Sequence, residues 1–399
     1  MAWTGLSSAW LATLLLAHLT QYLLPPALRP AFRKHDWQPW LLQVALISSL
    51  YLGWLLITRR PLLAGLLTLA VLTVLLVVNH AKCHALQEPL VFSDIHLYLQ
   101  VIRHPRLFLP FLNLPLTVTA ILVGISLLLI AIRMEPASIL TNRLGIPGFY
   151  ALSSLLGLAC IGLCGQLARR LTLEWEPATD IRRQGFYNSL LAYTLQARTP
   201  TAQQQFRDTI RHASPFAPPQ SQTTANQHAV SASQQPDLIV IQSESFCDAR
   251  RFSPNIRTDL LQHFDQLRST APAQGRLQVP AWGANTLRPE FAFLSGIRNA
   301  RLGPYRFNPY QYLRTFASIP TLASHLQQRG YRCIALHPHH ASFFGRDQVY
   351  PRCGFEDFID IAGFDASSKA GPYISDQAVQ QKIDELLSQP RTNDHYSCS

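Results

Sequence analysis

Two side chains stand where phosphoryl chemistry could be carried out. Glu244 ends the run Asp237-Leu-Ile-Val-Ile-Gln-Ser-Glu244, whose apolar stretch is of the kind that forms a buried parallel strand. A carboxylate at a strand's carboxyl end lies where open α/β sheets bind ligands, and it suits a hard divalent cation. Thr286 lies in Gly283-Ala-Asn-Thr-Leu-Arg-Pro-Glu290, a Gly-marked turn that opens a helix. Free N–H groups and the positive helix end favour an alkoxide and a phosphate oxygen at that point. A metal held by both residues would make the threonine a nucleophile. Each residue also has a plainer use: Glu244 as a surface or helix-capping carboxylate, Thr286 as an N-cap.

A third element is His337-Pro-His-His-Ala-Ser-Phe-Phe-Gly-Arg346, directly after the strand-like Tyr331–Leu336. The planar fork of Arg346 fits a phosphate, and Phe343 or Phe344 would wall the pocket. His337, His339 and His340 leave two other readings open, a solvated loop and a tri-histidine zinc site.

These residues need elements to position them. From Pro236 onward strand-like and helix-like segments alternate. Asp237–Gln242, Gly275–Val279 and Tyr331–Leu336 read as strands; Thr258–Leu267, Thr286–Leu294, Ile319–Arg329 and Ser375–Ser388 read as helices. Such alternation predicts an α/β domain with a mostly parallel sheet. Before it, Thr199–Gln235 is rich in Gln, Ser, Thr, Ala and Pro and reads as a tether. Gly185–Tyr193 reads as a short amphipathic helix at a membrane surface.

The first part of the chain is different. Of all residues 48% are hydrophobic and 14% charged, and the apolar excess is concentrated before residue 170. Ala9–Leu28, Trp40–Ile57, Leu62–Asn79, Leu116–Ile132 and Phe149–Ala168 carry no Lys, Arg, Asp or Glu in their central parts. Buried soluble helices would show a polar face, so these are expected to cross a bilayer. No basic residue precedes the first run and no cleavage site follows it, which argues against a removable signal peptide. The placement of Arg59, Arg60, Arg133 and Arg143 against Arg29, Arg33, Lys34, Lys82, Arg103 and Arg106 mildly favours the N-terminus outside. The net charge of +11 suits anionic lipid head groups or a phosphate substrate. No run of Lys/Arg interleaved with aromatics suggests nucleic acid. Seven scattered cysteines form no CxxC pair; Cys333 and Cys353 could bond if the domain is extracytoplasmic.

Taken together, Glu244-Ser-Phe246, Asn285 to Gly296, Gly330-Tyr331, His337 to Arg346, Gly354-Phe-Glu-Asp-Phe358 and Ser375-Asp376 resemble the lipoteichoic acid synthase and phosphoglycerol transferase family, within the sulfatase and alkaline phosphatase superfamily. The resemblance implies a multi-span α-helical membrane domain followed by an α/β sulfatase-like domain. It implies a membrane domain at 1–170, a juxtamembrane helical segment at 171–198, a flexible linker at 199–235 and the N-terminal part of a catalytic domain at 236–399. It implies that Glu244 and Thr286 bind a divalent metal, commonly manganese, and that Thr286 is the nucleophile. His337, Phe344 and Arg346 match positions that contact the transferred head group, although the family often has Trp at the position of Phe344. The donor would be a phospholipid such as phosphatidylglycerol, the acceptor an envelope glycan or polymer, and the location the bacterial cytoplasmic (inner) membrane with the C-terminal domain extracytoplasmic. That placement overrides the weak charge signal.

The sequence departs from this pattern after Ser388. The family continues with an apolar strand, a substrate-binding His and an Asp-His metal pair, whereas here the chain reads Gln389 to Ser399. Asp394-His395 has the right letters but comes early. A truncated chain, inactive alone, is therefore expected. Thr286-Leu-Arg-Pro289 lacks the Cys/Ser-x-Pro-x-Arg setting of formylglycine formation, which disfavours sulfate ester hydrolysis. A phosphoethanolamine transferase, a sulfuric ester hydrolase of the same superfamily, and a non-catalytic lipid- or glycan-binding fragment stay open.

Overall fold

The computed structural model describes residues 2–31, 36–94, 114–135, 141–218, 236–243, 246–283 and 285–389. The chain divides into two compact units, Met1–Gln205 and Phe206–Ser399.

The first unit is helical. The apolar run Ala9–Leu28 begins in α1 (Ala2–Thr20) and extends past its end, and the other four fall in α2 (Trp37–Thr58), α3 (Pro61–Leu86), α4 (Leu114–Met134) and α5 (Thr141–Arg170), followed by α6 (Pro177–Gln184) and α7 (Phe186–Gln196). Among the described residues, three helices are long and apolar enough to cross a membrane: Trp37–Thr58, Pro61–Leu86 and Gly145–Arg170. Within α4, which is 21 residues long, the apolar stretch described side chain by side chain is Leu122–Met134. The 19 residues of α1 include Ser7, Ser8, Thr13, His18 and Thr20. Gly145, at φ 70° and ψ 161°, breaks α5 two residues before Pro147, so the membrane-length part begins there.

α1 packs along α3, and α2 along both α3 and α5. Leu42 and Ala45 meet Cys164, Leu167 and Ala168 in one apolar cluster. Several buried charged groups are paired. Lys82 Nζ lies 2.6 Å from Asp94 with both side chains nearly inaccessible. Glu135 accepts the N–H groups of Leu62 and Leu63, both at 3.0 Å. A carboxylate there satisfies otherwise orphaned donors at the positive end of α3, whose first residue is Pro61.

The second unit opens on α8 (Pro200–His212), which straddles the boundary between the units. A tether was expected here, but Phe206 and Ile210 are buried four residues apart and give the helix an apolar stripe. The Phe206 ring packs 4.5 Å from Tyr305 and 5.9 Å from Phe316. Residues 219–235 of the expected linker lie outside the described residues.

Further on come α9 (Gln262–Thr270), α10 (Leu287–Ser295), α11 (Pro309–Leu313), α12 (Leu322–Gln327), α13 (Arg346–Val349) and α14 (Asp376–Leu387). β1 (Ile334–Leu336) pairs in parallel with β2 (Asp357–Ile359), aligning Ala335 with Phe358. β3 (Lys369–Ala370) pairs antiparallel with β4 (Tyr373–Ile374). Of the expected strands, only the Tyr331–Leu336 segment contributes to a ladder among the described residues. Asp237–Gln242 and Gly275–Val279 have no ladder partner among the described residues. Leu238, Ile239, Val240 and Ile241 are correspondingly exposed. The β1–β2 connection is anchored where Gly354, at φ 90°, passes α12. A Cβ there would lie 2.4 Å from the Ser324 Cα, so only glycine fits. Cys333 and Cys353 are both buried and free, not bonded to each other.

Candidate functional site

Thr286 immediately precedes α10. Asn285 before it is buried and holds φ 66°, a left-handed conformation that Asn tolerates better than other side chains. Left-handed non-Gly residues cluster where a chain is bent to present a group. The Thr286 side chain makes no capping hydrogen bond, although it sits at the N-cap position. Its hydroxyl is thus not used as the ordinary reading of a helix-leading threonine requires. Pro289 falls in the first turn of α10, where no intrahelical N–H is needed.

Helical spacing puts Glu290 one turn beyond Thr286 on the same face, and the Glu290 N–H donates to the Thr286 carbonyl at 3.0 Å. Glu290 is the centre of a buried network. Its carboxylate accepts from Tyr310 Oη at 2.5 Å, Tyr350 Oη at 2.6 Å and Arg346 Nη2 at 2.8 Å. Arg346 Nε adds contacts at 3.2 Å to both oxygens. Burial pushes the Glu290 carboxyl pKa up, but the Arg346 charge and these donors outweigh it and hold the pKa below its usual range. Burial, with the nearby carboxylate charge, raises both tyrosine hydroxyls, so they stay protonated donors.

Arg346 was expected to clamp a substrate phosphate. It is instead 1% exposed and committed to Glu290. The physical reason is that a guanidinium this deep needs a carboxylate in fork geometry. Phe344 is buried at φ 58°, and its ring lies 5.3 Å from the Arg346 guanidinium carbon. His337 follows β1, and its N–H donates to the Ile359 carbonyl at 2.9 Å. Burial first, and then the Arg346 charge, depress the imidazole pKa to about 4, so His337 is neutral near pH 7.

The structure therefore brings Glu290, Arg346, Phe344 and His337 into one neighbourhood, with Thr286 a turn from Glu290. Glu244 lies outside the described residues, as do Asp394 and His395. His337, His339 and His340 do not make a zinc site: among the described residues no three His, Cys, Asp or Glu side chains are grouped to hold a metal. Of the expected donors only the Thr286 hydroxyl is described. Sequence reasoning passed over Glu290. Its signal was a carboxylate followed by Phe291-Ala-Phe-Leu294 in a helix with a buried face, a position that demands a partner.

The Sulfatase family model matches residues 236–398. The capsular polysaccharide biosynthesis protein RkpI of Rhizobium meliloti is 26% identical over 356 residues, covering 86% of this chain and 63% of that protein. A putative cyclic beta-1,2-glucan modification protein of the same organism is 30% identical over 218 residues, covering 54% of this chain and 32% of that protein. The chain thus spans less than two thirds of either relative. No solved structure matches it. Residues 236–398, which match the Sulfatase family model, follow in sequence a helical region in which three helices, among the described residues, are long and apolar enough to cross a membrane.

Proposed function

We propose that this protein is a membrane-bound transferase of the phosphoglycerol type, moving a phospholipid head-group phosphodiester onto an envelope glycan or polymer. The observation that carries the reading is the Thr286 hydroxyl. It is uncapped, at the positive end of α10, behind a buried left-handed Asn285, and one turn from a fully paired Glu290.

Thr286 Oγ1 attacks the phosphorus of a donor such as phosphatidylglycerol. The bond from phosphorus to the diacylglycerol oxygen breaks, diacylglycerol leaves with the proton, and a threonine phosphodiester remains. An acceptor hydroxyl then takes the head group and returns the proton to Thr286. Neutral His337 donates or accepts at the head group, and Phe344 walls it. Arg346 supplies positive charge while held by Glu290, a positioning role in place of the expected direct fork. The sulfatase family is generally metal-dependent. Glu244 and Thr286 are the proposed donors, manganese the proposed ion, and a bound cation would offset charge on the phosphate. The relatives' names, capsular polysaccharide biosynthesis and cyclic glucan modification, favour a glycan acceptor. The second unit is proposed to face the extracytoplasmic side of the inner membrane.

The test uses the full-length protein in nanodiscs with phosphatidylglycerol and manganese. Wild type is expected to release diacylglycerol, and Thr286→Ala to bind the lipid without releasing it. Equal binding with no release from either protein would replace the transferase reading with that of a lipid-binding protein.

A further inference from the structure

The second unit carries a basic cavity that the transferase reading does not use. Its volume is about 560 Å³, and its walls are Arg207, Arg211 and His212 on α8, Pro218 after it, and the loop from Thr315 to Pro320. Arg207 and Arg211 are one turn apart and share a helix face. Among the described residues, none hydrogen-bonds or ion-pairs with the side chain of Arg207, Arg211 or His212. No Asp or Glu lines the cavity, and Thr315 and Ser318 are among its lining residues. The adjacent Asp208 on α8 is exposed and already engaged elsewhere.

The walls are tied to the rest of the unit by packing and hydrogen bonds. Phe206 and Ile210 anchor α8 from its buried side. The Ser214 hydroxyl bonds to the carbonyls of Ser295 at 2.7 Å and Pro320 at 3.1 Å, tying the end of α8 to the loop. Arg352 Nε donates to the Phe316 carbonyl at 2.8 Å, and the Ile319 N–H donates to the Arg352 carbonyl at 2.8 Å. The link to Ser295 places the cavity at the C-terminal end of α10. Thr286 is at the opposite end, about 13 Å away at about 1.5 Å per residue. A single head group cannot reach both.

We propose that this cavity is a second anion site, which takes a phosphate ester through Arg207 and Arg211 at a distance from the Thr286 centre. Two guanidiniums on adjacent turns match the several acceptor oxygens of a phosphate, and Phe316 offers an apolar wall to whatever carries it. A lipid head group and a soluble phosphate ester share this chemistry.

The test reads the site directly on the full-length protein in nanodiscs. Phenylglyoxal modification of Arg207 and Arg211 is followed by peptide mass spectrometry, with inorganic phosphate as the soluble probe. In phosphatidylcholine nanodiscs, phosphate is expected to slow modification of both arginines at least tenfold, an effect that salt weakens. If protection instead appears only when phosphatidylglycerol is included, the source is a lipid head group and the site still stands. Arg207→Gln with Arg211→Gln, checked for unchanged circular dichroism, is expected to lose phosphate binding at this site. Thr286→Ala should keep protection intact, so the two proposals fail separately. Modification rates within twofold under every condition would overturn the inference.

Discussion

Replacing Glu290 with Gln tests how the site is held. The substitution keeps shape and one acceptor but removes the charge, leaving Arg346, 1% exposed, as an unpaired buried cation. Breaking a buried pair by removing one partner costs about 3–5 kcal/mol, because the remaining charge keeps its desolvation penalty. At about 2–4 °C per kcal/mol for a domain of this size, the second unit should melt about 6–20 °C lower. Hydrogen exchange of peptides covering 286–295 and 346–353 assigns the loss to this unit. The wild-type advantage should also depend on pH. Because folding holds the Glu290 pKa below its usual value near 4.3, its contribution is complete above that value and is lost as pH falls through the lower folded value. The gap between wild type and Glu290→Gln should therefore narrow in acid. Combining Glu290→Gln with Arg346→Met should cost less than the sum of the single changes by at least about 2 kcal/mol. A Glu290→Gln protein that melts within 2 °C of wild type, with the same acid profile, would refute the argument.

Other outcomes follow from particular contacts. Gly354→Ala should destabilise the second unit by at least about 2 kcal/mol, measured by its urea midpoint, since the new Cβ meets the Ser324 backbone at a positive φ. His337 should show a neutral imidazole by NMR from pH 8 down to about 5. Its folded pKa near 4 lies below the usual 6.5, so its neutral form stabilises above pH 6.5, and that stability is lost as pH falls toward 4. Lys82→Met should cost the first unit about 3–5 kcal/mol in a detergent melt, by leaving Asp94 buried without its cation. Glu135→Gln should cost about 1 kcal/mol or more, since the amide carries no charge toward the positive end of α3 and presents one acceptor oxygen to two N–H donors.

Much of the fold was legible because its signals are local. The apolar runs before residue 170 became helices, and Asn285-Thr286 became the turn that opens α10, because Gly, Asn and Pro positions fix backbone geometry within a few residues. What was not legible depends on long-range pairing. Asp237–Gln242 has the composition of a strand, yet a strand exists only with a partner, and its side chains stand exposed. Arg346 read as a phosphate fork because its carboxylate lies fifty-six residues earlier in the chain. The helix at Pro200–His212 hid in polar composition, since only Phe206 and Ile210 carry its buried stripe.

The central claim is that Thr286 is a nucleophile. The most direct measurement is peptide mapping of the full-length protein after brief incubation with phosphatidylglycerol carrying a labelled head group, quenched in acid. The account expects the head-group phosphodiester mass on the peptide containing Thr286, with none on Thr286→Ala. Head-group transfer to an acceptor by the wild type, with Thr286 unlabelled and Thr286→Ala equally active, would contradict it.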